Sequence, residues 1–451
     1  MPFSKNNNSD SIRSSTLKDA YNVCDVVPLE GEKIAKYYID LSEIRASIVR
    51  RVTTLLEFQE EASFSTILFT GHRGCGKSTE LKRIQNLWEK DYHVIYLEVD
   101  EETDINDANY TDLYLIVIKQ VEFTLRKLGL KFDQKLLNSF ENWFKEITEE
   151  NEESVEKSVS VESEASLEGG APFIAKLMVK LLAQIKGSDK QKTTIRQTLE
   201  KDISRLKTDI NRLLDDASGK LRKQNPAYKG FLIIFDNLDR VPPSVANHLF
   251  FDYATQLQEL HCTIIYTVPI SVLCSPKNPL SLYKSNPNIV PMVNIYKLDR
   301  NSRNLDYNQL GLEAMASLIE KRVDVDAVFN SRAELLELAK ASGGHVRQLM
   351  QMMRSACQIA KTKEHDKILA EDVIDAFKEL QDQFTLFIPP DHYPLLAKVC
   401  INKDVSRDDI GQLMLFNTSV LEYIENKRWN YPNPVVIQDE LFQQALDAIP
   451  E

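Results

Sequence analysis

The chain has 451 residues, which is too long for one typical hydrophobic core, so we expect two or three domains. Apolar residues make up 43% and charged residues 27%, as is ordinary for a globular protein, and the net charge of −12 argues against a protein coated in nucleic acid. The six cysteines include no C-x-x-C pair, which favours reduced thiols over a disulfide framework or a zinc site.

The N-terminal segment is polar, and we predict that residues 1–20 form a disordered tail without the apolar stretch of a signal peptide. No apolar run in the sequence approaches the roughly 20 residues that cross a bilayer. We therefore expect a cytoplasmic protein without a membrane partner. Residues 21–300 are expected to form the core of the fold.

The strongest signal is a glycine-rich loop between a strand and a helix. FSTILFT at 64–70 is β-branched and aromatic, as in a strand buried on both faces, and a helix follows at 78–90. The segment between them fits G-x-x-x-x-G-K-[ST], in which backbone N–H groups surround an anion because glycine side chains do not obstruct them.

This pattern predicts ATP and Mg²⁺ as cofactors. Lys77 would reach the β- and γ-phosphates, Ser78 would ligate Mg²⁺, and the helix N-terminus would face the phosphates. A purely structural glycine turn is the alternative, which the flanking strand and helix disfavour. The predicted nucleotide-binding residues are Gly71, His72, Arg73, Gly74, Cys75, Gly76, Lys77, Ser78 and Thr79.

A second strand is predicted at 92–100, followed by a helix at 110–129 and then by a long insert at about 130–228. Residues 145–168 hold nine acids and two bases, which favours a solvated loop over a short hairpin. Residues 171–230 hold fourteen bases and six acids. There an amphipathic helix is predicted first, and a second helix spaces apolar residues like a heptad seam: Leu199, Ile203, Leu206, Ile210 and Leu213. A helical hairpin is favoured over a membrane-surface helix, and an oligomer or partner contact remains open.

The stretch FLIIFDNLDR at 231–240 predicts the acidic strand end that the glycine loop requires. Asp236 follows five apolar residues and would hold Mg²⁺ through water. Many ATPases of this class place a glutamate at the next position to polarise the attacking water, whereas this chain has Asn237. Asp239 is then the predicted base, and Glu80 is a weaker candidate.

The next strand is predicted at 262–270. Thr267 in this strand lies where related ATPases sense the γ-phosphate, although strand packing explains a threonine equally well.

The remaining elements predict a helical lid at 301–385 and a winged-helix-like domain at 386–451. VNIYKL at 293–298 is predicted to be the last sheet strand, and Arg300 and Arg303 follow it as weak candidates for reaching a neighbouring subunit's nucleotide.

Gly343 and Gly344 are predicted to join two helices, which places Arg347 on the first turn of the second helix, facing a γ-phosphate. The C-terminal order is helix, helix, strand, strand, and it has no dense Lys/Arg helix, which favours protein contact over DNA binding.

These motifs together resemble a bacterial P-loop ATPase of the additional-strand (ASCE) division. The loop GHRGCGKSTEL, the strand end LIIFDNLDR and the helix SGGHVRQLMQMMRSA are similar to AAA+ ATPases of the origin-initiator type and their signal-transducing STAND relatives, and DNLDR is similar to the KAP group. The fold class implied is α/β: a parallel P-loop NTPase sheet with helices on both faces, a long helical insert, a helical lid and a winged-helix-like unit.

The resemblance implies a molecular switch. ATP would lie between the sheet and the lid, with Lys77, Ser78, Asp236 and Arg347 at the matching positions, and Asp239 completes the predicted catalytic set. It also implies a homo-oligomer and a protein partner, such as the separate effector of a phage-defence complex that this ATPase subunit regulates. A DNA-handling ATPase of the initiator or transposition-regulator type is the alternative, and a nucleotide-dependent scaffold without useful turnover is a third reading.

Overall fold

The computed structural model describes residues 13–60, 63–149, 173–187, 189–277 and 281–450. The chain divides into two compact units. One unit, the sheet unit, comprises 49–70 and 84–288, and the other, the lid unit, comprises 1–48, 71–83 and 289–451. Within the described residues, no helix is both long and apolar enough to cross a membrane.

A parallel five-stranded sheet flanked by helices forms the centre of the fold, as predicted. Its strand order is β2-β3-β4-β1-β5. The strands are β1 Thr66–Gly71, β2 His93–Glu98, β3 Phe231–Asp236, β4 Thr263–Pro269 and β5 Asn288–Ile289. β3 and β4 are buried along their whole length, which explains their continuous apolar sequence, since a parallel sheet is covered on both faces.

The first half of the chain supplies the helices around these strands. They are α1 Leu17–Val23, α2 Glu32–Tyr37, α3 Ile48–Glu57, α4 Lys77–Trp88, α5 Val99–Glu102, α6 Tyr110–Lys127 and α7 Gln134–Glu149. α6 begins at a capping box formed by Asn109 and Asp112, and thirteen of its eighteen residues are buried, so it lies inside the core rather than on its surface.

The predicted insert is helical where the structure describes it. Its helices are α8 Phe173–Gly187, α9 Asp189–Lys201 and α10 Ile203–Gln224. Leu181, Leu199 and Leu213 share one hydrophobic core with the strands and α6, so the insert is integral to the sheet unit. Arg196 of α9 also donates hydrogen bonds to the buried Asp112 carboxylate at the start of α6. The solvated loop or short hairpin was predicted at 145–168; residues 145–149 instead end helix α7, and residues 150–168 lie outside the described residues.

The heptad-like seam was predicted within one helix, and this is wrong. Asp202 interrupts the helix after Lys201, because its side chain accepts the backbone N–H of Arg205 and caps a new helix. The seam residues still face the core on both sides of the break. The helical region at 243–257 is also interrupted: α11 Pro243–Asn247 and α12 Ala254–Leu257 flank a π-helix at His248–Asp252.

The lid unit contains the predicted helical lid and the C-terminal elements. The lid helices are α13 Gln309–Glu320, α14 Val325–Val328, α15 Arg332–Ala341, α16 Val346–Thr362 and α17 Ala370–Thr385. The C-terminal elements are α18 Tyr393–Asn402, α19 Asp409–Phe416, β6 Val420–Ile424, β7 Arg428–Pro432, α20 Pro434–Ile437 and α21 Glu440–Asp447. β6 and β7 form an antiparallel hairpin after two helices, which is the predicted order.

Two further predictions need correction. Residues 17–20, assigned to a disordered tail, form the start of α1, whose first turn is capped by the Thr16 side chain. Residues 293–298 do not form the last sheet strand, which is Asn288–Ile289. Its backbone bonds instead within its own unit, where Lys297 donates to the Asp306 carbonyl and Ile295 accepts the Asn308 N–H.

Candidate nucleotide-binding site

The glycine loop connects β1 to α4, as the sequence predicts. Lys77 is buried, and its ammonium group donates hydrogen bonds of 2.8 Å to the carbonyl oxygens of both Gly71 and His72. The side chain therefore folds back against the loop that it follows. Thr79 accepts the backbone N–H of Leu29 through its hydroxyl oxygen at 3.0 Å. Thr79 thus has a structural contact within the lid unit, which leaves Ser78 as the better candidate for a metal-ligating hydroxyl.

Gly74 lies where the glycine loop meets the start of lid helix α16. The backbone N–H of Arg347 donates to the Gly74 carbonyl at 3.1 Å. A Cβ at Gly74 would lie 2.5 Å from His345 Cε1 and 2.6 Å from Arg347 Cβ, and the φ angle of 87° is also one that other residues rarely adopt. Glycine is therefore required here by the close approach of the lid helix as well as by the loop conformation.

His72 connects the same loop to the C-terminal hairpin. Its Nε2 atom accepts the backbone N–H of Glu422 in β6 at 2.8 Å, so the proton of the neutral ring is on Nδ1. The pKa of His72 is lowered to about 3, chiefly by burial and also by the neighbouring His345 and Lys77. His72 occupies one of the variable positions of the glycine-loop motif and is thus a neutral hydrogen-bond acceptor for the C-terminal domain.

His345 begins helix α16 as its N-cap. Its Nδ1 atom accepts the backbone N–H of Gln348 at 3.2 Å. Burial lowers the pKa of His345 to about 3, and the positive charge of Arg347 acts in the same direction. The start of the lid helix therefore carries a neutral histidine beside a charged arginine.

Arg45 fixes the other side of the loop, and sequence analysis missed it. Its guanidinium group donates to the carbonyl oxygens of Cys75 and Pro291, at 3.1 Å each, and to the Glu80 carboxylate. Glu80 is buried and also pairs with Arg83 at 2.7 Å. These contacts give Glu80 a structural role and argue against it as a catalytic base. No sequence motif marks Arg45, because its partners are mostly backbone carbonyls distant in the chain.

Arg73 and Arg347 line a cavity of about 410 Å³ within the lid unit. The other walls include Phe384 at the end of α17 and Phe416 at the end of α19. The guanidinium carbon of Arg73 lies 5.9 Å from the centre of the Phe416 ring. The structure therefore places Arg347 beside the loop, and its assignment to a γ-phosphate stays a prediction.

Arg300 and Arg303 contact the C-terminal domain of their own chain. Arg300 donates to the Asn402 carbonyl at 3.3 Å, and Arg303 donates to the carbonyls of Leu446 and Ile449. These contacts favour a structural role over the weaker hypothesis of reaching a neighbouring subunit.

In the sheet unit, Asp236 ends β3, where the sequence predicts it. Its Oδ2 atom accepts the Tyr96 hydroxyl hydrogen, and its Oδ1 atom accepts the Asn237 backbone N–H at 2.8 Å. The carboxylate is buried and held by neutral donors, which leave oxygen lone pairs for a hard cation such as Mg²⁺. The donor type therefore fits the predicted role.

Thr267 and Asp239 stabilise the turn that follows β3. The Thr267 hydroxyl donates to the Phe235 carbonyl at 3.0 Å and accepts the Asp239 backbone N–H at 3.3 Å. This use of the hydroxyl favours the packing interpretation of Thr267 over the phosphate-sensing one. Asp239 is itself buried within the turn.

The strand order places β4 between the β1 strand that precedes the loop and the β3 strand that ends at Asp236. This is the additional-strand arrangement that the sequence resemblance implies. The structure brings Lys77, His72, Gly74 and Arg347 together in the lid unit, and it brings Asp236, Asp239 and Thr267 together in the sheet unit.

Comparison with known proteins agrees with this architecture. Residues 45–255 match the KAP family P-loop domain. No curated protein shows significant similarity to the chain.

The solved structures that are similar to this chain are distant in sequence. The ORC2 protein of Aeropyrum pernix is 12% identical with a TM-score of 0.40, covering 94% of this chain and 96% of that one. Cdc6p from Pyrobaculum aerophilum is 10% identical with a TM-score of 0.37, covering 92% and 98%. The RuvB branch migration motor of Thermotoga maritima is 13% identical with a TM-score of 0.34, covering 81% and 79%. Similarities this distant say nothing of what this chain binds.

The sheet, its strand order and the glycine loop define a P-loop NTPase. The match of residues 45–255 to the KAP family P-loop domain supports a P-loop ATPase of the origin-initiator-like or KAP-like type, which are the types that the sequence resemblance named.

Gly74 and Gly219 provide a matched pair of glycine substitutions. We expect Gly74→Ala to lower the melting temperature and weaken nucleotide binding, because the new methyl group must displace His345 or Arg347. Gly219→Ala in helix α10, where nothing lies within 4 Å of the new methyl group, should raise stability by about 0.5–1 kcal/mol. Thermal unfolding measures both changes, and a Gly74→Ala protein as stable as wild type would contradict the close approach.

The low pKa values of the buried His72 and His345 predict a loss of stability in mild acid. Above pH 6.5 both are neutral in the folded and unfolded chain; below it the unfolded chain binds protons that the folded chain excludes until about pH 3. The free energy of unfolding should therefore fall by about 1 kcal/mol per histidine one pH unit below 6.5.

His345→Asn tests this expectation, because asparagine keeps the cap but does not titrate. Denaturant unfolding at about pH 7.5 and about pH 5.5 should show a smaller acid loss in the variant. An equal loss in both proteins would contradict the assignment.

Proposed function

We propose that the chain binds ATP with Mg²⁺ at the glycine loop, hydrolyses it, and uses the nucleotide state to control its lid and C-terminal domain. The observation that carries the proposal is that the loop itself contacts both elements. The Gly74 carbonyl accepts the Arg347 N–H of the lid helix, and the His72 ring accepts the Glu422 N–H of the C-terminal hairpin. A ligand that orders the loop backbone therefore acts on two elements at once.

The chemistry of the residues supports a magnesium nucleotide. Lys77 supplies an ammonium group for the phosphates. Ser78 supplies a hydroxyl oxygen and Asp236 a carboxylate oxygen, and Mg²⁺ prefers oxygen ligands of these two kinds. Bound Mg²⁺ would neutralise negative charge on the phosphates. Arg347 is the proposed sensor of the γ-phosphate, and Asp239 is the base that the sequence pattern suggests.

We further infer a regulatory role, in which this ATPase controls a separate effector protein and assembles as a homo-oligomer. The sequence resemblance to switch ATPases of bacterial phage-defence systems supports this role, and so does the net charge of −12, which favours protein over nucleic-acid partners. The alternative is a DNA-handling ATPase of the initiator type. Retention of duplex DNA that requires ATP and falls steeply with added salt would favour the alternative.

Nucleotide binding is tested at Lys77. We expect Lys77→Ala to weaken the binding of ATP with Mg²⁺ at least tenfold, because the phosphates lose their charged donor. Lys82→Ala is the matched control: Lys82 lies on the same helix α4, pairs with Glu30 at 3.6 Å and should leave the affinity unchanged. Calorimetric titration measures both, and wild-type affinity in Lys77→Ala would overturn the proposal.

Transmission to the C-terminal domain is tested at His72. We expect ATP to change the hydrogen exchange of the β6 amides at 420–424 in the wild-type protein, and His72→Ala to abolish this change because Glu422 loses its acceptor. His72→Gln retains an acceptor and should preserve part of the change. If ATP affects these amides equally in wild type and His72→Ala, the hydrogen bond does not carry the signal.

A further inference from the structure

Asn237 leaves the proposed hydrolysis without an acid at the position after Asp236. An amide cannot take a proton from an attacking water, whereas a carboxylate can. The β2 strand supplies a carboxylate beside this position, because the parallel register pairs Glu98 directly with Asp236. Both strands run in the same direction, so the two residues stand side by side at the carboxyl end of the sheet, on strands about 4.8 Å apart.

Asn237 is shaped to hold this carboxylate. Its backbone adopts the left-handed conformation with φ 64°, and its side-chain amide donates to Glu98 at 3.2 Å and to Asp100 at 2.8 Å. A left-handed non-glycine residue is uncommon, and it is retained where the surrounding contacts require it. The amide therefore orients an acid on the next strand.

The neighbouring carboxylates are less accessible to an attacking water. Asp100 forms an ion pair with Arg240 at 2.5 Å, and Asp239 is buried in the turn after β3. Glu98 is exposed, and although it stands at the start of helix α5 its side chain does not cap that helix. Glu98 thus accepts the Asn237 amide and is more exposed than Asp100 or Asp239.

We propose that Glu98 is the general base of the ATP hydrolysis described under Proposed function, on which this inference rests, and that Asn237 is its positioning residue. The Glu98 carboxylate accepts one proton from the attacking water as the water oxygen bonds to the γ-phosphorus. The bond from that phosphorus to the bridging oxygen breaks, and the bridging oxygen leaves with the electron pair on ADP. Glu98 then returns the proton to solvent. In many ATPases a glutamate directly follows the strand-ending aspartate. Here that position holds Asn237, and the glutamate, Glu98, lies on the neighbouring strand β2.

The test compares Glu98→Gln with Glu101→Gln, which makes the same change of charge three residues further along. We expect Glu98→Gln to bind ATP with wild-type affinity in calorimetric titration, to lower kcat by about 10²–10⁴-fold, and to retain unhydrolysed ATP after gel filtration. Glu101→Gln should hydrolyse like wild type. Asn237→Ala should lower kcat less than Glu98→Gln, with ATP affinity unchanged.

A double variant, Glu98→Gln with Asn237→Glu, moves the acid to the neighbouring strand and should recover part of the lost kcat. A structural role for Glu98 would give no such recovery. Wild-type kcat in Glu98→Gln would overturn this inference while leaving the proposed function intact, and a loss of kcat in Asp239→Asn would then identify Asp239 as the base. Failure of the wild-type protein to bind ATP would overturn the proposed function itself.

Discussion

The close approach of the glycine loop to the lid helix is the constraint on which the lid unit depends. Gly74 has no room for a side chain, because His345 and Arg347 occupy the space that a Cβ would need. The same loop contacts the C-terminal hairpin through His72. A loop built to surround an anion with its backbone is thus also a structural hub, and any change in its conformation must be accommodated by two other elements.

Around the glycine loop, Lys77 and Arg347 carry positive charge and the neighbouring histidines do not. Lys77 and Arg347 lie near two histidines that remain neutral, because burial holds the pKa of each at about 3. Protonating these rings would add like charge to a buried region, which the low dielectric makes costly. The neutral rings instead serve as hydrogen-bond acceptors, one for a helix N-terminus and one for a strand. Of these four side chains, only Lys77 and Arg347 therefore carry positive charge.

In the sheet unit, several acidic side chains lie at the ends of neighbouring strands, and each has a hydrogen-bond or ion-pair partner. Asp236 is held by a tyrosine hydroxyl and a backbone amide, Asp100 by Arg240, and Glu98 by the Asn237 amide. Asn237 therefore replaces a negative charge with a donor in a crowded set of carboxylates. Its departure from the usual acidic position is a feature of this arrangement rather than a loss.

The sequence alone determined the glycine loop, the strand that ends at Asp236, the paired lid helices and the order of the C-terminal elements, because each depends on local spacing of apolar residues, glycines and caps. It could not reveal Arg45, the role of His72 or the pairing of Glu98 with Asp236, since these join residues from 30 to 350 positions apart. It also misplaced the last strand and the helix break at Asp202. At Asp202 a local side-chain cap ended the helix within the apolar spacing. At the last strand, backbone hydrogen bonds with residues 306 and 308 outweighed the apolar pattern, and only the tertiary structure decides where such bonds can form.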